Sequence, residues 1–212
     1  MFQQTQNEEY LKLCVNRVRG NLYLTWVEQF LDIIQENVKL EQIKTLNDIG
    51  CNVGQFWKGL YKRNLNIDYR GYDFENIYLN CAKKIFPDLE YRISLLDVAT
   101  TVPKSSDISI CSATLEHLED WKAGLENVLD STKECVLLRT FLGESFDTAK
   151  CFKSGAEKPY LINQYSCLDI YRIMKSRGFI TTPIRDRFTD SLPHYLEGGI
   201  VRTFYIILGQ KQ

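Results

Sequence analysis

The residues best placed to do chemistry are Asp48-Ile49-Gly50-Cys51-Asn52-Val53-Gly54, followed nineteen positions after Gly54 by Asp73 in Gly71-Tyr72-Asp73-Phe74. Gly50 permits a tight turn, and Gly54 lets a helix start close to a sheet with backbone N–H groups facing a ligand. A carboxylate at the tip of the neighbouring strand can accept both hydroxyls of a ribose, because parallel strand tips open onto one crevice. Glycines in such turns and acids at strand ends also serve plain structural purposes, as bends and helix caps. Only the combination, at this separation and in this strand order, points to a nucleoside-bearing cofactor.

Charge and fit narrow the cofactor. A dinucleotide fingerprint needs Gly-x-Gly-x-x-Gly, whereas Asn52 and Gln55 occupy its second and third glycine positions. A phosphate loop needs Lys followed by Ser or Thr, which does not follow Gly54. S-adenosylmethionine carries ribose, adenine and an amino-acid end but no phosphate, so a less open turn suffices. Zinc prefers clustered Cys and His; the seven cysteines are scattered with no CxxC pair, and no metal is expected. They read as free thiols in a reducing compartment.

The two histidines, His117 and His194, are the candidate catalytic bases, since imidazole titrates near neutrality. His117 follows the fourth strand, at the cofactor edge; the plain alternative is that it only shapes the pocket. His194, in Asp190-Ser191-Leu192-Pro193-His194-Tyr195, is expected to contact the acceptor or to be an exposed loop residue. Arg139 to Asn163 is expected to be a long connection on the same edge, carrying Phe141, Phe146, Phe152 and Tyr160 among Lys150, Lys153 and Lys158. Such segments serve as lids or as solvated connections. Arg139, Phe141, Tyr160 and His194 are the expected acceptor contacts, and Tyr10, Arg17, Arg19, Tyr23 and Trp26 could roof the crevice.

Short apolar runs alternating with helical stretches after Leu40 predict βαβ units. The expected strands are Thr45–Ile49, Tyr69–Tyr72, Glu90–Ile93, Asp107–Cys111, Cys135–Thr140, Phe179–Ile184 and Thr203–Leu208. Helices are expected over Val53–Arg63, Asn76–Ile85, Trp121–Asp130 and Gln164–Arg177. The polar stretch Arg185–Arg202 joins the last two strands without a helix, which makes them antiparallel. The product is a three-layer α/β sandwich with a seven-stranded, mostly parallel sheet and one antiparallel strand. Two N-terminal helices precede it; the second carries Leu22, Tyr23, Trp26, Val27, Phe30, Ile33, Ile34 and Val38 at helical spacing. Residues 1–42 are read as a helical cap and 43–212 as the cofactor-binding unit, together one compact body.

This order of motifs resembles the class I S-adenosylmethionine-dependent methyltransferases over most of Thr45–Gly209. Asp48 to Gly54 is similar to their first motif, whose turn holds the methionine part. The resemblance implies that Asp73 binds the ribose hydroxyls, with Phe74 beside the adenine. In Leu95-Leu96-Asp97-Val98 it implies that Asp97 and the Val98 amide reach the adenine ring. Asp107-Ile108-Ser109-Ile110-Cys111-Ser112-Ala113-Thr114-Leu115-Glu116-His117-Leu118 resembles the fourth-strand motif, which adds Ser112 and His117 to the cofactor contacts.

The 212 residues carry 26 Lys+Arg against 27 Asp+Glu, so no overall basic field is available for nucleic acid. The fourth strand also lacks the Pro-Pro-aromatic ending of base aminomethylating enzymes. No apolar run reaches the ~18 residues of a membrane span, and residues 1–9 lack the pattern of a secretion signal, so a cytoplasmic protein is expected. The expected function is metal-independent methyl transfer to an oxygen or nitrogen of a small molecule or glycan intermediate, leaving S-adenosylhomocysteine. The alternatives are an inert S-adenosylmethionine-binding partner or sensor, and a nicotinamide oxidoreductase on a related sheet.

Overall fold

A computed structural model describes residues 8–20, 24–39, 43–151, 160–196 and 199–212. Leu22, Tyr23, Phe152, Lys153 and Lys158 lie outside the described residues. The first two helices are α1 (Glu8–Arg19) and α2 (Thr25–Asn37). The alternating part then runs β1 (Thr45–Ile49), α3 (Gln55–Lys62), β2 (Asp68–Asp73), α4 (Asn76–Ile85), β3 (Ile93–Leu95), β4 (Ser106–Ser112), α5 (Trp121–Asp130) and β5 (Thr132–Gly143). It is followed by β6 (Asp147–Cys151), β7 (Tyr160–Ser166), α6 (Cys167–Ser176), β8 (Phe179–Arg185), β9 (His194–Tyr195), β10 (Val201–Arg202) and β11 (Phe204–Lys211).

The main sheet has the order β3-β2-β1-β4-β5-β11-β8, with β11 antiparallel to both its neighbours. The three-layer sandwich and its single reversed strand are as the sequence predicts. Strand alternation builds two cores: Leu137 faces one side while Val136 and Leu138 face the other, and Ile206 and Ile207 divide likewise. α2, α3 and α4 cover the first face, and α5 and α6 the second. Cys51, Cys111 and Cys135 are small core residues within these clusters.

The apolar stripe of α2 packs directly on the sheet. Phe30, Leu31 and Ile34 are fully buried against Leu46, Phe56 and Ile206, each contributing about 1.5–3 kcal/mol. That burial holds the helix, since its N-terminal residue Leu24 supplies no side-chain cap. Gln29 ties α2 to the far edge: its Nε2 donates to Arg185 O (2.7 Å), and Arg187 N donates to its Oε1 (2.8 Å).

Four expectations are corrected. The third strand is displaced from Glu90–Ile93 because Pro87–Leu89 forms a 3₁₀ turn, closed by Arg92 N donating to Leu89 O (3.0 Å). The expected long connection after Arg139 is largely strand. β5 continues to Gly143, and β6 pairs antiparallel with β7, which joins β5 at Leu142↔Tyr165. Burial of Leu161, Ile162 and Tyr165 on this pairing holds it there instead of as an open lid. The last helix begins at Cys167, not Gln164, because Ser166 caps it, its Oγ accepting from Asp169 N (3.4 Å). Finally, the stretch between β8 and β11 contains the β9–β10 ribbon.

Candidate active site

The chain reverses direction between β1 and β4, and there the strand tips part to leave a cleft of about 340 Å³. The turn after β1 forms its floor. Gly50, Asn52 and Gly54 all adopt left-handed backbone, at φ 78°, 49° and 83°. Asparagine visits this region more readily than other side chains, which accounts for Asn52 at a position where glycine would be the simplest choice. At Gly50 the need is steric: a Cβ would lie 2.0 Å from Thr114 Oγ1, at the tip of β4. Gly54 makes its close approach to Phe86 and Leu89 instead of to the sheet.

The expected ligand-facing amides are already engaged. Gly50 N and Cys51 N both donate to Tyr72 O (2.8 and 3.0 Å), Asn52 N to Asp73 Oδ2 (2.9 Å), Val53 N to Asn52 Oδ1 (2.8 Å) and Gly54 N to Cys51 O (3.0 Å). A turn that spends these five amides internally has none of them to offer a pyrophosphate. It suits a ligand recognised by hydroxyls, an amine and apolar rings.

Asp73 joins the turn to the end of β2, with Oδ1 accepting from Glu75 N (3.1 Å). Burial pushes its carboxyl up to about 6, against amides from Asn52 and Glu75 that lower it. Burial likewise pushes Asp48 up to about 7, although Tyr69 OH donates to its Oδ2 (2.7 Å) and counteracts part of the shift. Glu75 and Glu116 also rise to about 7 by burial, and each has one buried oxygen without a hydrogen-bond partner. A carboxyl raised in the folded state binds more protons there than in the unfolded chain, so it stabilises at low pH and that stability is lost as pH rises through about 6 to 7. Hydrogen bonds and neighbouring cations lower Asp32, Asp107 and Asp186 instead, so they titrate below this window. The free energy of unfolding, from urea titrations, is therefore expected to fall between pH 5 and pH 8 by at least ~1.4 kcal/mol, the equivalent of one pKa unit. Asp48→Asn should flatten the slope; a wild-type profile that rises with pH would contradict the assignment.

The opposite wall comes from β4, β5 and β11. His117 Nδ1 lies 2.7 Å from Leu161 O, a carbonyl that can only accept, so Nδ1 is the nitrogen that carries a proton there. The ring faces Tyr160 at 5.9 Å between centroids. Arg139 stands opposite Ser112 in register, so it remains at the cleft although β5 runs on beyond it. Its guanidinium donates through Nε and Nη2 to Asp186 (2.7 and 3.1 Å) and lies 3.6 Å over the Phe204 ring. That bidentate pair, not an acceptor, takes up its charge.

Asp48, Gly50, Cys51, Asn52, Asp73, Phe74, Ser112, His117 and Arg139 thus line one cleft, with Tyr10, Arg17 and Trp26 beside them. The other expected residues that the structure describes, Arg19 among them, do not line it. Gly54 shapes the turn from behind. Asp97 turns back to accept from Ala99 N (3.0 Å), and Val98 is buried in the core. Phe141 packs edge-on against Phe204 at 4.5 Å and supports that ring. Tyr160 backs His117, and Phe146 is carried away to stack on Trp121. His194 is exposed on the ribbon, paired in register with Arg202, which does line the cleft. Thr114, Phe188, Arg202 and Phe204 also line it and were missed. The signal for Arg202 was available: Gly198-Gly199 between short polar-apolar runs marks a hairpin.

A family model described as a methyltransferase domain matches residues 47–135. No curated protein matches the chain. Among solved structures, magnesium protoporphyrin IX methyltransferase from Synechocystis PCC 6803 with bound S-adenosylmethionine superposes with TM-score 0.65 at 14% identity, covering 98% of this chain and 93% of that one. DesVI from Streptomyces venezuelae gives TM-score 0.65 at 11% identity, covering 97% and 99%. CalS10, an amino pentose methyltransferase from Micromonospora echinaspora, gives TM-score 0.62 at 13% identity, covering 100% and 98%.

Proposed function

We propose that this chain, which carries a methyltransferase domain on the fold of S-adenosylmethionine-dependent methyltransferases, transfers a methyl group to an oxygen or nitrogen of a small molecule or glycan intermediate, without a metal. S-adenosylmethionine supplies an electrophilic methyl on a sulfonium. The observation that carries the reading is the Asn52 amide bonded to Asp73 Oδ2 at 2.9 Å, which sets the turn and the acid on one cleft wall. Asp73 would hold the ribose hydroxyls and Phe74 the adenine face. Arg17, half-buried on α1 and paired with no carboxylate among the described residues, would hold the amino-acid carboxylate. Alignment and exclusion of water supply most of the acceleration in an in-line displacement. His117, with its protonated nitrogen turned to Leu161 O, is the group that would take the acceptor's proton.

Calorimetry with S-adenosylhomocysteine tests the site. Asp73→Ala is expected to weaken binding by ~1–3 kcal/mol, from lost charge-assisted bonds to the ribose, and NAD is expected not to bind. Unchanged affinity in the variant, or preference for NAD, would overturn the reading.

A further inference from the structure

We propose that Arg202 is the anion-binding residue of the acceptor subsite, so that the methyl acceptor carries a carboxylate or phosphate on an apolar body. This rests on the methyltransferase reading above and specifies its substrate class.

The cleft is electrostatically divided. Its β1–β2 side holds the carboxyls of Asp48 and Asp73, while its β5–β11 side holds Arg139 and Arg202. Four strand spacings separate the end of β2 from the start of β11, on the order of 19 Å at ~4.8 Å each. Arg202, two residues before β11, therefore stands well away from the acid assigned to the ribose, with His117, in the 3₁₀ turn that follows β4, between them.

The two arginines differ in what satisfies them. Arg139 is neutralised by both oxygens of buried Asp186. Arg202 is half-buried, has no ion pair with any carboxylate among the described residues, and lies over the Phe204 ring at 5.9 Å. Burial and the neighbouring Arg139 charge both oppose its charged form and lower its pKa. A partly desolvated guanidinium facing a cleft is stabilised by an incoming carboxylate or phosphate through paired N–H donors. Phe188, about half exposed, and Phe204 give the same wall an apolar surface against which a ring can lie.

The test titrates the full chain, saturated with S-adenosylhomocysteine, with benzoate, phenyl phosphate and neutral benzamide. At least one anion is expected to bind roughly tenfold or more tightly than benzamide, the scale of one charge-assisted contact. The better of the two anions identifies the acceptor's charged group. Arg202→Gln should abolish the preference and Arg202→Lys should keep part of it, with S-adenosylhomocysteine affinity within about twofold of wild type in both, which also reports intact folding. Equal binding of benzamide and both anions, or a preference that survives Arg202→Gln, would overturn the assignment. Failure of wild type to bind S-adenosylhomocysteine would instead defeat the cofactor reading, and the anion comparison on the free protein would still decide Arg202.

Discussion

Asp186→Ala is expected to destabilise the protein by ~3–5 kcal/mol, the usual consequence of leaving a buried charge without its partner. Both members of the pair are buried, Arg139 at 4% exposure and Asp186 at 0%. Asp186 also accepts from Thr189 N (2.9 Å) and Thr189 Oγ1 (2.7 Å), so its loss strips three groups of their acceptor. Burial alone would raise its carboxyl pKa, but the bonds and charge of Arg139, with Thr189, hold it below the ordinary carboxylate range. The pair fixes the wall that carries Phe204 and the residues after β8, so the variant should also lose acceptor affinity before it loses cofactor affinity. Urea unfolding measures the first effect. Replacing both residues together, as Arg139→Met with Asp186→Leu, should recover much of the stability, because no uncompensated charge remains. A single variant within ~1 kcal/mol of wild type would show that Arg139 reaches solvent through the cleft and that the pair is not structural.

His117→Gln is expected to lower kcat by about 10²–10⁴-fold, the range for loss of a positioned general base, while S-adenosylhomocysteine affinity stays near wild type. Glutamine keeps a donor for Leu161 O yet has no basic nitrogen, so it separates proton removal from pocket shape. The measurement is single-turnover methyl transfer at saturating acceptor. A variant with unchanged kcat and raised KM would assign His117 to shaping the pocket alone.

Much of the cleft wall built by β1, β2 and β4 was legible because its residues are close in sequence and each sits at or just after a strand tip. Gly50, Asn52, Asp73, Ser112 and His117 fall within or just after βα units, and parallel strands with short crossovers bring such tips to one edge. Asp97 and Val98 lie outside the cleft lining, where the turn after β3 folds the acid back onto Ala99 N. The wall formed by β5, the ribbon and β11 was much less legible. The hairpin arms of β6 and β7 were read as connection because Asp147-Thr148-Ala149-Lys150 has weak strand propensity and pairs only through tertiary contact. His194 was singled out by residue type, whereas the ribbon turns its register partner Arg202 to the cleft.

By itself the sequence determined the sandwich, the reversed last strand and the turn-and-acid site, because hydrophobic period and glycine placement are local constraints that leave few topologies. Tertiary structure alone decided which charges survive at the cleft. Arg139 and Asp186 are forty-seven positions apart, and only their meeting under Phe204 satisfies one arginine and leaves Arg202 facing the cleft. Charge compensation depends on distances of a few ångströms between remote segments, and no local pattern in the chain encodes those distances.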